Sequence, residues 1–199
     1  DARTGASRIL RGHEGAVVEV AFDAAGERVL SGGEDGTVYL WDAEDDSELT
    51  ELVLHHQAVN ALAFDPEGKR LVSASDDREL VLWDALTGEP LRRLRGHTKL
   101  INSVVFGPGG KTILSGGQDC TVRLWDAVTG AQLKLYGPFD KWVDSALLTP
   151  DGARVLVATG DKKVRILDAE SMAVLREISG LQYPAEAMSL SPDGTRLAT

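Results

Sequence analysis

The tripeptide Trp-Asp-Ala stands at 41–43, 83–85 and 125–127, with Leu-Asp-Ala at 167–169, so one pattern returns every 42 residues. Phe22, Phe64 and Phe106 keep that step, and Leu148 and Leu190 follow in register. Gly26, Gly68, Gly110, Gly152 and Gly194 keep it too, with no insertion anywhere. A register this regular marks a repeat architecture, built from copies of one supersecondary unit.

Within a period, short runs read as strands. Ala58–Phe64 precedes a turn at Asp65-Pro66-Glu67-Gly68; Arg70–Ser75 precedes a tight turn at Asp76-Asp77-Arg78. Leu80–Trp83 leads through Thr87-Gly88-Glu89-Pro90 into Leu91–Leu94, and then to Gly96-His97. Gly, Pro and Asp punctuation between such runs predicts an antiparallel meander. The first three runs are apolar on both faces (Val17, Val18, Val20; Val29, Leu30; Val38, Tyr39, Leu40), so they are expected to be covered on both sides. The fourth carries Arg92 and Arg93, Lys134, or Arg176 and Glu177, which suits an outer edge strand. A sheet covered on both faces and repeated in series stacks radially against its copies, as a propeller blade does.

Gly-His, then Asp in a tight turn, then Trp-Asp resembles the WD40-repeat β-propeller family over essentially the whole chain. The resemblance implies an all-β fold with four complete four-stranded antiparallel blades, at 12–53, 54–95, 96–137 and 138–179. Residues 1–11 would be the outer strand of a preceding blade, and 180–199 a partial blade. It also implies one buried network of His, Ser, Asp and Trp per blade. By position these are His13, Ser31, Asp35 and Trp41; His55, Ser73, Asp77 and Trp83; and His97, Ser115, Asp119 and Trp125. Leu54 replaces the usual Gly before the second His. The fourth blade departs, with Phe139, Val157 and Leu167 in three of the places and only Asp161 kept. Losing Asp161 is therefore expected to cost less than losing Asp77.

The chemistry-bearing residues point away from catalysis. Ser, His and Asp recur together three times at fixed spacing, each set with a Trp, whereas a hydrolase needs one exposed nucleophile. Ser31–Gly36 is Gly-rich but lacks the Lys-Ser/Thr ending of a phosphate loop. Asp42–Asp46 is acidic, yet Ser47 stands where a calcium loop needs Gly. His55-His56 has no third ligand nearby in sequence. Neither metal nor cofactor is expected. With 31 acidic residues against 21 basic, the chain carries a formal charge of −10, which excludes a phosphate-tracking basic face and hence nucleic acid. No apolar run is long enough for a membrane helix. The one cysteine, Cys120, excludes an internal disulfide framework and fits the reducing cytoplasm.

The resemblance implies a non-catalytic scaffold binding a protein or peptide across one propeller face, the one where the loop before each first strand meets the turn between the second and third. That face collects Glu34, Asn60, Asp76, Leu100, Asn102, Gln118, Trp142, Asp144 and Glu186 by position, with Trp142 as apolar anchor and the carboxylates favouring a basic partner. Local packing of Trp142, in space vacated by the fourth blade's lost His and Trp, is the competing expectation. Two further readings are a regulatory portion of a larger enzyme, such as a bacterial kinase or NTPase, and self-association through open blade faces. Asp1–Ala6 matches the residues that follow Trp83 and Trp125, and 197–199 aligns with the second strand, so the chain reads as a segment of a longer propeller.

Overall fold

The computed structural model describes residues 7, 9–43 and 48–199; the expected outer strand over 1–11 falls largely outside them. Four antiparallel meanders make up most of the chain. The first comprises β1 (Val17–Phe22), β2 (Arg28–Gly33), β3 (Thr37–Asp42) and β4 (Glu48–Val53). The second comprises β5 (Val59–Phe64), β6 (Arg70–Ser75), β7 (Glu79–Asp84) and β8 (Pro90–Arg95). The third runs through β9 (Ile101–Phe106), β10 (Thr112–Gly117), β11 (Val122–Asp126) and β12 (Gln132–Tyr136). The fourth runs through β13 (Val143–Leu148), β14 (Arg154–Thr159), β15 (Lys163–Asp168) and β16 (Val174–Ile178). A short ladder of β17 (Ser189–Leu190) and β18 (Leu197–Ala198) follows. No helix among the described residues is long and apolar enough to cross a membrane.

Consecutive innermost strands lie side by side, β1 with β5, β5 with β9 and β9 with β13, so the sheets stack face to face in series. The core therefore sits between sheets. Leu30, Val38 and Leu40 of the first meet Val59, Leu62 and Trp83 of the second, and the pattern repeats at the next two seams. Close approach needs small residues at one recurring position. A Cβ on Gly32 would come within 2.7 Å of Val59, and one on Gly116 within 2.5 Å of Val143, while fully buried Ala74 holds the same place in the second sheet.

The outer strands are exposed along most of their length, as their charges predict. The first innermost strand departs from expectation. Val17, Val18, Val20 and Phe22 are 44–64% exposed, whereas the equivalent Val59, Leu62, Ile101 and Val104 are buried. Each later innermost strand packs on the sheet before it, and among the described residues no sheet precedes β1.

Two seams carry an arginine clamp that the sequence reading missed. Arg28 Nε binds Asp23 at 2.9 Å, its Nη2 donates to the Gly68 carbonyl at 2.5 Å, and its guanidinium lies over Phe64. Arg70 repeats this one blade on, with Nε 2.9 Å from Asp65, Nη2 2.6 Å from the Gly110 carbonyl, and Phe106 beneath. Asp and Arg recurring at a 42-residue step were the available signal. A charge bonded to otherwise unsatisfied carbonyls contributes more than a neutral bond. Arg70→Ala should therefore lower stability by about 2–3 kcal/mol. Arg154→Ala, at the exposed equivalent position in the fourth sheet, should change it by less than about 0.5 kcal/mol. Urea titrations of both variants measure the difference.

Candidate functional site

Each of the first three sheets is pinned by a buried relay. Trp83 Nε1 donates to Ser73 Oγ at 2.9 Å, and Ser73 Oγ lies 2.7 Å from His55 Nε2. His55 Nδ1 stands 2.9 Å from Asp77. Asp77 then accepts the backbone amides of His56 and Glu79, tying the loop before β5 to the turn before β7. Trp41, Ser31, His13 and Asp35 repeat the geometry, as do Trp125, Ser115, His97 and Asp119. With Trp as donor, the consistent assignment has Ser O–H donating to His Nε2 and His Nδ1–H donating to Asp. The Ser–His–Asp distances suit a hydrolytic triad, but Ser73 and Ser115 are 0% exposed and Ser31 6%. These hydroxyls reach no substrate; their bonds join parts of one sheet.

Electrostatics follow from the same contacts. Burial opposes ionisation of Asp77, but the hydrogen bond from His55 and the positive end of its ring, with two backbone amides, outweigh it and bring the pKa down to about 2. Asp119 and Asp35 are likewise held below the ordinary carboxylate range, against burial, by His and backbone donors.

One face of the stack is assembled four times over. The amides of Glu34, Asp76, Gln118 and Gly160 donate to the carbonyls of Ala16, Ala58, Leu100 and Trp142, at 2.9–3.0 Å. Each innermost strand begins with a bulge that skips Val18, Asn60, Asn102 or Asp144 in the ladder. A bulge re-aims the side chain it carries. The Asn60 amide donates to Asp76 at 2.6 Å and to the Ile101 carbonyl of the next sheet at 3.0 Å; Asn102 donates to the Val143 carbonyl at 2.8 Å.

Asn60, Asn102, Asp144 and Glu186 line one concavity of about 210 Å³, together with Glu19. Trp142, Leu100, Glu34, Asp76 and Gln118 do not line it. Glu19 was missed, although it is the one charged member of the in-register series Glu19, Ala61, Ser103, Ser145 and Ala187. Burial raises its pKa. Trp142 is 43% exposed, and its indole Nε1 donates to Asp144 at 2.8 Å. Its ring lies on Gly160, where a Cβ would come within 2.5 Å. Burial, reinforced by the charge of Glu186, raises the Asp144 pKa against the pull of the indole bond.

A family model described as WD domain, G-beta repeat matches residues 6–42, 47–84 and 88–126, more than half of the chain. The chain belongs to the WD40 repeat family. Repeats of this family generally mediate protein–protein contacts and are generally non-catalytic. No curated protein matches the chain. The matched stretches group β4 with β5–β7, so the WD40 sequence repeat runs one strand out of phase with the sheet and links neighbouring blades covalently. Residues 44–47 of the acidic connector lie outside the described residues. Among the described residues no three His, Cys, Asp or Glu side chains could together hold a metal ion.

The fourth blade keeps the WD40 sheet without the relay. Phe139, Val157 and Leu167 occupy the His, Ser and Trp places, yet Asp161 has strong partners. Arg165, itself only 7% exposed, donates through Nη2 to Asp161 at 2.6 Å and through Nη1 to Thr159 at 2.6 Å. Thr159 also donates to Asp161, Glu177 lies 3.2 Å from Arg165 Nε, and the guanidinium stands over Phe139. The expectation that Asp161 is the cheaper loss therefore reverses. Removing it takes the closest carboxylate from a buried guanidinium and leaves only the half-exposed Glu177 to balance its charge, which should cost about 3 kcal/mol. Asp77→Ala should cost about 1–3 kcal/mol. Denaturant titration of the two variants side by side decides the order.

The depressed Asp77 pKa makes stability depend on acid. A carboxylate stabilised in the folded state contributes above its unfolded pKa and loses that contribution as pH falls towards the folded value. Roughly 2 kcal/mol should vanish between about pH 5 and pH 2 through Asp77. Asp77→Asn should flatten that part of the profile, as read from urea midpoints at each pH.

Proposed function

We propose that this protein is a non-catalytic interaction scaffold that seats a Lys- or Arg-bearing protein segment across the bulge-bearing face. The observation that carries the reading is Trp142: a large indole, 43% exposed, held in place by its hydrogen bond to Asp144 and its stacking on Gly160. A rigid aromatic with one polar handle is the side chain most enriched in binding hot spots. Asp144, which accepts its indole N–H, also lines the concavity with Glu19 and Glu186, and that lining holds no lysine or arginine; Glu34 and Asp76 add carboxylates at the register-equivalent turns of the same face. Lys99 and Lys141, in the loops beside Leu100 and Trp142, temper this charge without cancelling it. The unpaired Cys120 suits a reducing compartment, and we assign the protein to the cytoplasm.

The test is a set of Lys/Arg-rich and Asp/Glu-rich peptides titrated against the protein and two variants. Basic peptides should bind and acidic ones should not. Trp142→Ala should weaken the best basic peptide by about tenfold or more. Asp76→Ala with Asp144→Ala should weaken it most at low salt and flatten the salt dependence. Unchanged binding in both variants rejects the site.

A further inference from the structure

The cleft between the third and fourth blades lies on the opposite edge of the stack, among the turns that join first to second and third to fourth strands. We infer that it binds an alkylguanidinium, the side-chain group of arginine. The molecule shows twice what fills this place. At the first two seams an arginine from one blade lies over an aromatic ring of the next. Its Nη2 donates to the Gly68 or Gly110 carbonyl, and its Nη1 approaches the Ala85 or Ala127 carbonyl at 3.3 or 3.4 Å. At the third seam the 42-residue register puts Thr112 where the arginine would be, Gly107 in place of its aspartate, and Leu148 in place of the ring. The receiving side is kept. Gly152 and Ala169 stand where the acceptor carbonyls of the other seams stand, and a cleft of about 300 Å³ opens there.

Pro108, Leu148 and Thr112 give this cleft apolar wall, and Asp168 and Glu170 contribute carboxylates. Lys134 takes part of the vacated role, with its ammonium 2.9 Å from the Ala169 carbonyl and 2.9 Å from Glu170; Tyr136 also donates to Ala169. No described residue donates to the Gly152 carbonyl, the counterpart of the acceptor that takes the shortest arginine bond at the other two seams. An incoming guanidinium has the planar face for Leu148 and Pro108 and a free N–H for Gly152. An ammonium has neither the plane nor the fork of donors.

The experiment follows backbone amide resonances of the labelled chain during titration with Nα-acetyl-arginine amide, free arginine, Nα-acetyl-lysine amide and Nα-acetyl-citrulline amide. Saturable shifts at Thr112, Gly152 and Ala153 are expected with the arginine probes, and binding about tenfold weaker or less with lysine and citrulline. Preference for the capped arginine assigns a protein segment as the source, and preference for free arginine assigns the amino acid; either upholds the site. Gly107→Asp with Thr112→Arg supplies the chain's own clamp and should abolish the response without lowering Tm. Ala153→Phe adds bulk at the cleft from an exposed position and should weaken binding should the double variant not fold. Lys134→Met, which removes the competing cation, should tighten it. No saturable shift at these residues, an equal response to lysine, or undiminished binding in a folded blocking variant overturns the inference.

Discussion

One hydroxyl oxygen holds each regular blade together. Ser31, Ser73 or Ser115 receives the tryptophan N–H on one side and meets the histidine ring on the other, in an interior closed to water. In such surroundings a satisfied network is stiff and a broken one is costly, because each member left unpaired keeps its full desolvation penalty. The relay is therefore close to all-or-none. Through its aspartate it fixes the loop that enters the blade and the turn before the third strand. Those are the segments whose backbone bonds assemble the proposed binding face, so the geometry of that face depends on a buried contact lying well below it.

The fourth blade shows that the requirement is the pinning and not the particular residues. A buried Arg165 joins Thr159, Asp161 and Glu177 across the same part of the sheet. An ionic solution needs every partner in place, since a guanidinium taken out of water is stable only when paired. The replacement coincides with the largest surface deviation on the same face. Where the other blades place Glu34, Asp76 and Gln118, this one has Gly160, and the indole of Trp142 lies on it.

A repeat protein supplies its own reference states, which makes departures from register informative. Two seams with an arginine clamp define what the third lacks, and a pair of bulge asparagines that latch onto the next sheet defines what Asp144 cannot do once ionised. Glu19 stands out in the same way against small neighbours in its series. The departures gather at the fourth blade and at the concave face, where uniform stacking is not what the residues achieve.

The 42-residue period alone determined the blade count over the chain and most strand positions. Arg70–Ser75 is a strand as read, and the other three runs of that blade begin or end within one residue of expectation. Turn residues and short, continuously apolar runs are local properties, so the sequence pattern captures them. The tryptophan, serine, histidine and aspartate follow from the resemblance to the WD40 family, carried over by position, and their in-register repetition tells a staple from a triad. Only the tertiary structure decided which partner Asp161 finds, since Arg165 closes on it at 2.6 Å whereas Arg123, in the same register place, stays 3.7 Å from Asp119. It alone showed that β1 is open, because cover comes from a neighbouring sheet and not from the strand's own residues. It alone placed Glu19 beside Asp144 and Glu186, residues about 125 and 167 positions away in sequence, because stacking sheets in series brings every innermost strand to the same concave side.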